Sequence, residues 1–176
     1  MSVTLYTAIS IDGYIAREDG SIDWLEEAEP DGGQDYGYDE FFQNVDLLLM
    51  GRNTYEQVLS FGQWPYEDKR CIVFTSRDLS KPQEDVVFVN DSPSTVIARL
   101  QGADEANAWL VGGGRLNASF LEAGLIDEII LTILPICLGT GIGLFRGGAS
   151  VAAGFSLVSA TTFGSGAIQA RYIRRG

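Results

Sequence analysis

Trp109-Leu110-Val111-Gly112-Gly113-Gly114-Arg115 is an apolar run that meets three consecutive glycines and then an arginine. The run Ala108 to Val111 shows no polar alternation, the pattern of a strand buried on both faces. Arg115 to Ala123 reads as a helix, stopped by Gly124. A strand that enters a helix through glycines leaves main-chain N–H groups facing outward, with no Cβ to keep a ligand away. Those donors and the positive end of the helix dipole form an anion site, to which Arg115 would add a charged contact. The plainer alternative is a tight turn packing helix on sheet, but one glycine would serve for that. Three in a row favour a phosphate site.

A turn of the same design lies upstream. Asp46 to Met50 is another uninterrupted apolar strand, followed by Gly51-Arg52-Asn53-Thr54-Tyr55-Glu56. Asn53 is a candidate N-cap with Glu56 three residues on, opening a helix to about Ser60. In open α/β sheets ligands gather at the carboxyl ends of strands, and two such turns suit a ligand with more than one phosphate, such as a dinucleotide. A third strand, Cys71 to Thr75, ends in Phe74-Thr75-Ser76-Arg77. Two hydroxyls and a guanidinium suit a 2′-phosphate, which favours NADP over NAD; a polar loop is the ordinary meaning of such a run. For Arg52 the ordinary meaning is a solvated surface charge.

The rest of the chain supplies the frame. Val3 to Ile9 reads as a first strand ending at the turn Ser10-Ile11-Asp12-Gly13, and Gly13 to Gly37 as a long loop of the kind that forms lids. Tyr38 to Val45 reads as a short helix and Val86 to Val89 as a short strand. Ser92 caps a helix that starts at Pro93 and runs through Leu100. Glu128 to Pro135 is a buried strand, and Phe155 to Phe163 with Ala167 to Arg174 a hairpin. The pattern predicts one α/β domain over residues 1–176, with a mixed, mostly parallel central sheet flanked by helices and closed by a C-terminal antiparallel β-hairpin.

Composition narrows the partners. The 176 residues carry 12 Lys and Arg against 24 Asp and Glu, a formal net charge of −12, which repels nucleic acid and anionic membrane. The chain has no histidine, so the usual general base and the commonest zinc ligand are missing. Cys71 and Cys137 lack metal or CxxC spacing and read as two buried, reduced thiols. No signal segment or membrane-length apolar run is apparent, so the expected compartment is the cytoplasm.

Taken in order, Ala8…Asp12-Gly13, Met50 to Glu56, Thr75-Ser76-Arg77, Val111 to Arg115 and Leu131-Thr132 resemble dihydrofolate reductase. The opening Ser10-Ile11-Asp12-Gly13, with Phe120 to Glu128 and Pro135-Ile136-Cys137-Leu138-Gly139, is more similar to the reductase domain of bifunctional riboflavin-biosynthesis proteins. The resemblance covers nearly the whole chain and implies the dihydrofolate-reductase-like fold with NADPH as cofactor. It implies that Ala8 and Ile15 lie by the nicotinamide and its ribose. Gly51, Arg52, Asn53 and Thr54 would hold the pyrophosphate from one side, and Val111, Gly112, Gly113, Gly114, Arg115 and Leu116 from the other. Thr75, Ser76 and Arg77 would surround the adenosine ribose and its 2′-phosphate.

The chain departs from both relatives where they recognise substrate. Tyr38 falls near the pterin-holding carboxylate of dihydrofolate reductases, with Asp35, Asp39 and Glu40 close by. Tyr6 stands for the riboflavin-type first-strand lysine, and Gly112 for the acidic residue before the paired glycines. The expected activity is therefore NADPH-dependent reduction of a C=N or C=O bond in a different small heterocycle, pteridine- or pyrimidine-like. Dihydrofolate reduction proper and a non-catalytic NADP(H)-binding module are the alternatives. Asp12, Tyr6 and Thr132 are candidate proton donors or substrate anchors, and Trp24, Tyr38 and Phe42 candidate substrate walls, Trp24 by stacking. Simple turn capping is the plain meaning of Asp12, and strand packing that of Tyr6 and Thr132. The apolar 128–135 strand and the hairpin, with the habit of the relatives, suggest a homodimer.

Overall fold

The computed structural model describes residues 1–29, 34–77, 85–100, 107–147 and 152–176. Eight strands form one sheet in the order β5-β4-β3-β6-β1-β7-β10-β9. They are β1 (Ser2–Ser10), β3 (Leu47–Gly51), β4 (Arg70–Phe74), β5 (Val86–Val89), β6 (Asn107–Gly112), β7 (Glu128–Leu134), β9 (Phe155–Thr162) and β10 (Ile168–Arg174). The pairs from β5 through to β7 are parallel, while β10 runs antiparallel to β7 and to β9. The mixed sheet with its closing hairpin is the architecture expected from sequence.

Alternation along the strands separates two cores. Val3, Leu5, Leu47, Leu49 and Leu110 face α4 (Pro93–Leu100) and α5 (Gly114–Glu122), where Val96, Ile97 and Phe120 are buried. Leu48, Met50, Val73 and Trp109 face the other way, onto α2 (Tyr38–Gln43) and α3 (Arg52–Ser60), with Tyr55 and Val58. Burial on both faces explains why these strands read as continuous apolar runs. Ser92 does cap its helix, its Oγ accepting from the Thr95 N–H at 3.3 Å.

Four expectations need correction. The stretch from Gly13 to Gly37 holds β2 (Tyr14–Ala16) and α1 (Trp24–Ala28). The short strand β2 pairs with β8 (Ile142–Gly143), a partner distant in sequence that no local pattern announces. Helix α3 is capped by Gly51, not Asn53, and Glu56 pairs with Arg52 one turn back instead of closing a capping box. Cys71 is buried, but Cys137 is exposed because β7 ends at Leu134 and leaves it in the following loop.

Candidate active site

The carboxyl ends of β4, β3, β6 and β1 stand side by side, since these strands are sheet neighbours. This brings together Thr75 to Arg77, Gly51 to Thr54, Gly112 to Arg115, and the Ala8 to Ile15 stretch. The two glycine turns touch: a Cβ on Gly113 would lie 3.3 Å from Thr54 Oγ1, and one on Gly51 3.7 Å from the Gly112 carbonyl. The first N–H of α5 to find a helical acceptor is that of Asn117, on Gly113 O at 3.0 Å. The N–H groups of Gly114, Arg115 and Leu116 precede it, at the positive end of the helix. Two helix starts therefore adjoin at the carboxyl ends of β3 and β6.

The three glycines have three different reasons. Gly112 has φ +106°, a left-handed conformation that only glycine adopts readily, with Asn117 Oδ1 3.0 Å from where its Cβ would be. Gly113 faces Thr54 across the cleft and N-caps α5; the Gly112–Gly113 peptide bond is cis. Gly114 is a packing glycine, because a Cβ there would come within 2.3 Å of the Gly143 carbonyl. The expectation that all three lie open to a phosphate is corrected to that extent.

Beside these turns the sheet splits. Pairing between β1 and β6 runs only from Ser2↔Asn107 to Thr4↔Trp109, although β1 continues to Ser10 and β6 to Gly112. The Tyr6 carbonyl, past the end of that ladder, is taken by the Trp109 indole N–H at 3.0 Å. On its other edge β1 stays paired to β7 through Ser10↔Leu134. The main-chain groups of β1 beyond Thr4 therefore lie outside the β6 ladder, at the carboxyl end where ligands of open α/β sheets gather.

The charged residues are arranged loosely around this centre. Arg52 Nη1 lies 2.9 Å from Glu56 Oε2, an exchangeable surface pair; Asn53 and Arg115 are exposed, and Thr54 is half-buried. Thr75 Oγ1 accepts the Arg77 N–H at 3.0 Å, forming a small turn that presents exposed Ser76 and Arg77 at the end of β4. Val111 and Leu116 pack against the two cores, and Ile15 is half-buried on β2.

Among the proposed catalytic and substrate residues, two roles change. The Asp12 carboxylate accepts from Ser10 Oγ at 2.6 Å and from the N–H groups of Leu138 and Gly139 at 3.1 and 2.7 Å. The Ser10 hydroxyl above all, with these amides, holds its pKa below the usual carboxylate value, so Asp12 is an ionised clamp and not a proton donor. Trp24 is no stacking wall. Its ring is 0% exposed, packed with Leu134 and Ala167 against Ala8, Leu25 and Phe163.

Tyr6, Thr132, Tyr38 and Phe42 do come together on the α2 face. Tyr6 stacks on Phe41 at 4.5 Å, and Tyr38 stacks on Phe42 at 5.5 Å, both beside Trp109. Burial pushes the Tyr6 phenol up to about 12 and raises that of Tyr38. Gln169, absent from the sequence-derived set, links them: its Nε2 donates to Thr132 Oγ1 at 3.0 Å and to the Tyr36 carbonyl at 2.8 Å. The one signal it offered was an uncharged polar residue at an inward position of the last strand. A cavity of about 410 Å³ extends from Tyr6, Tyr36 and Gln169 toward Thr4, Glu128 and Arg171, away from the glycine turns.

With this geometry established, comparison with known proteins gives the family. The family model described as the RibD C-terminal domain matches residues 1–169. The chain belongs to that family.

A putative riboflavin biosynthesis protein from Shewanella sp. PV-4 superposes with TM-score 0.89 at 33% identity, covering all of both chains. The uncharacterized protein YwjB of Bacillus subtilis strain 168 is 46% identical over 143 residues, 81% of each chain. A diaminohydroxyphosphoribosylaminopyrimidine deaminase/5-amino-6-(5-phosphoribosylamino)uracil reductase from Thermotoga maritima shares the fold, with TM-score 0.73 at 18% identity over 99% of this chain and 56% of its own. Within this RibD C-terminal fold, among the described residues, no helix is long and apolar enough to cross a membrane, and no cluster of His, Cys, Asp or Glu is placed to hold a metal.

Proposed function

We propose that this protein is an NADPH-dependent reductase of a C=N or C=O bond in a small pteridine- or pyrimidine-like heterocycle. The observation that carries the reading is the parting of β1 from β6 directly beside two adjoining helix starts. Phosphates would sit on the α3 and α5 amides with Arg52 and Arg115 nearby, and the 2′-phosphate by Thr75, Ser76 and Arg77. The nicotinamide would lie along Ala8 and Ile15. When bound, the cofactor supplies the hydride.

The chain's own residues orient and exclude. Tyr6, Phe41 and Tyr38 give a flat apolar wall for a ring, and Thr132 and Gln169 give it polar anchors. With Asp12 ionised and the Tyr6 phenol raised to about 12, neither is matched to proton delivery near neutrality, which leaves water as the proton source. A dihydrofolate-type site needs a carboxylate inside the pocket. Here Asp35, Asp39 and Glu40 are all exposed, Asp35 Oδ1 is occupied by the Asp39 N–H at 2.9 Å, and Glu40 borders the cavity that runs away from the glycine turns.

The partner proposed is a second copy of the chain. Phe155 to Phe163 contains no charge in a protein of net charge −12, yet it includes the edge strand β9 with Leu157 57% and Val158 51% exposed. Two copies can meet there without bringing like charges together, and an unprotected edge of that kind invites pairing.

The test is titration with NADPH and with NADH, followed by cofactor fluorescence. Saturable binding that prefers NADPH is expected, and Arg77→Ala should remove roughly ten- to hundredfold of that preference, the worth of a hydrogen bond to a charged group. Absence of a saturable signal with NADPH would overturn the assignment.

A further inference from the structure

Residues 17–21 form a compact turn between two anchors. The Arg17 N–H donates to Ser21 O at 2.9 Å and the Gly20 N–H to Arg17 O at 3.0 Å, with Gly20 at φ +94°. The Arg17 guanidinium fastens the turn to α1 through Asp23 and Glu27, both at 2.7 Å. Ala16 before the turn and Trp24 after it are buried. A strap so tied within itself moves as one body.

Root and tip of this strap are fastened to the two helices that start at the glycine turns. The root, β2, lies on β8, and the β8 segment is tied to α5 by the Arg146 N–H on Gly114 O and Asn117 Nδ2 on Leu144 O, each at 2.9 Å. The tip is held by α3, where Gln57 Nε2 donates to Gly20 O at 2.7 Å. Gln57 stands roughly one and a half turns along α3 from Arg52. Among the described residues, this is the one hydrogen bond from residues 17–21 to anything beyond residues 17–29. The root is thus a main-chain ladder with further ties, and the tip a single side-chain bond, so the strap opens at its tip.

The tip bond also crosses the parting of the sheet. The strap leaves from β1, α3 follows β3, and β6 lies between those two strands. Where β1 separates from β6, Gln57 and Gly20 join the two sides again.

We propose that Gln57 is a latch: its bond to Gly20 closes the strap across the parting, and its opening admits and releases the coenzyme. The proposal rests on the reductase reading and deepens it, because it gives the coenzyme site a gate set by one side chain. A neutral hydrogen bond of this kind shifts an open–closed balance about fivefold. The latch joins protein to protein, so losing it speeds entry and exit alike and leaves affinity in place. A lost coenzyme contact would raise the exit rate alone, with affinity falling in proportion.

Stopped-flow fluorescence of NADPH binding to the full-length protein tests this. Gln57→Leu and Gln57→Met, neutral and without the donor, should each raise association and dissociation rates about fivefold while Kd stays within about twofold of wild type. Gln57 is half-buried and outside both cores, so the variants keep the fold. Hydrogen exchange over residues 17–21, measured without coenzyme, should accelerate in Gln57→Leu and return to the wild-type rate in Gln57→Lys, which restores a donor of similar reach. Wild-type rates in Gln57→Leu, or faster dissociation alone, would overturn the latch while NADPH binding stands. Wild-type protein without a saturable NADPH signal would instead overturn the reductase reading, and the gate with it.

Discussion

Gly114→Ala separates the two jobs that the glycine turn performs. The new Cβ would stand 2.3 Å from the Gly143 carbonyl, 1.1 Å inside the 3.4 Å at which ordinary contact begins. Helix α5 is anchored in the core by Phe120, whereas a Cβ on Gly143 would meet nothing within 4 Å, so the 142–146 segment is the side that moves. Besides the β2–β8 ladder, three hydrogen bonds tie that segment down: Arg146 N–H to Gly114 O at 2.9 Å, Asn117 Nδ2 to Leu144 O at 2.9 Å, and Leu144 N–H to Gly13 O at 3.2 Å. At about 1 kcal/mol each, with some repacking, their loss amounts to about 2–4 kcal/mol. For a domain of this size that is a fall in Tm of about 5–15 °C. Gly113→Ala is the control. Its φ of −73° suits alanine and its Cβ would meet only Thr54 Oγ1 at 3.3 Å, so stability should change by less than about 1 kcal/mol while NADPH binding weakens at least tenfold. Thermal unfolding followed by circular dichroism, with NADPH titration, reads both effects. A Gly114→Ala protein melting within about 2 °C of wild type would refute the packing argument.

The remaining predictions concern thiols and assembly. Native protein should react with one equivalent of an aromatic disulfide at Cys137 and with a second only when denatured. Burial pushes the Cys71 thiol from 9.0 to about 12, so its contribution to stability is intact below pH 9 and is lost as the pH rises toward 12; alkaline titration of Tm in wild type and Cys71→Ala checks the sign. Light scattering should give twice the 19.1 kDa chain mass, and Leu157→Lys should return the single-chain mass by placing like charges across the β9 contact; a wild-type protein of one chain mass at high concentration would remove the dimer.

The order of strands and helices was legible because each parallel strand is buried on both faces and each helix start carries its own local chemistry. Ser92-Pro93, the glycine turn after Val111 and the terminal hairpin could be read from neighbours a few residues apart. Substrate residues were harder. Trp24 offered an aromatic ring in an apparent loop, but that ring packs against Leu134 and Ala167, which lie more than a hundred residues away. Asp12 offered a carboxylate in a turn, and its partners at Leu138 and Gly139 are equally remote.

Sequence alone determined that this chain is an acidic α/β protein with polar, arginine-bearing turns at the ends of three strands, since turn chemistry and burial pattern are local properties. Tertiary structure decided which glycine packs and which lies open, where β1 leaves β6, and that Gln169 and Tyr6 converge on one carbonyl oxygen. Those facts depend on the meeting of segments such as Gly114 with Gly143 and Tyr36 with Gln169. Register and chain crossing set such meetings, and neither is written in any short stretch of residues.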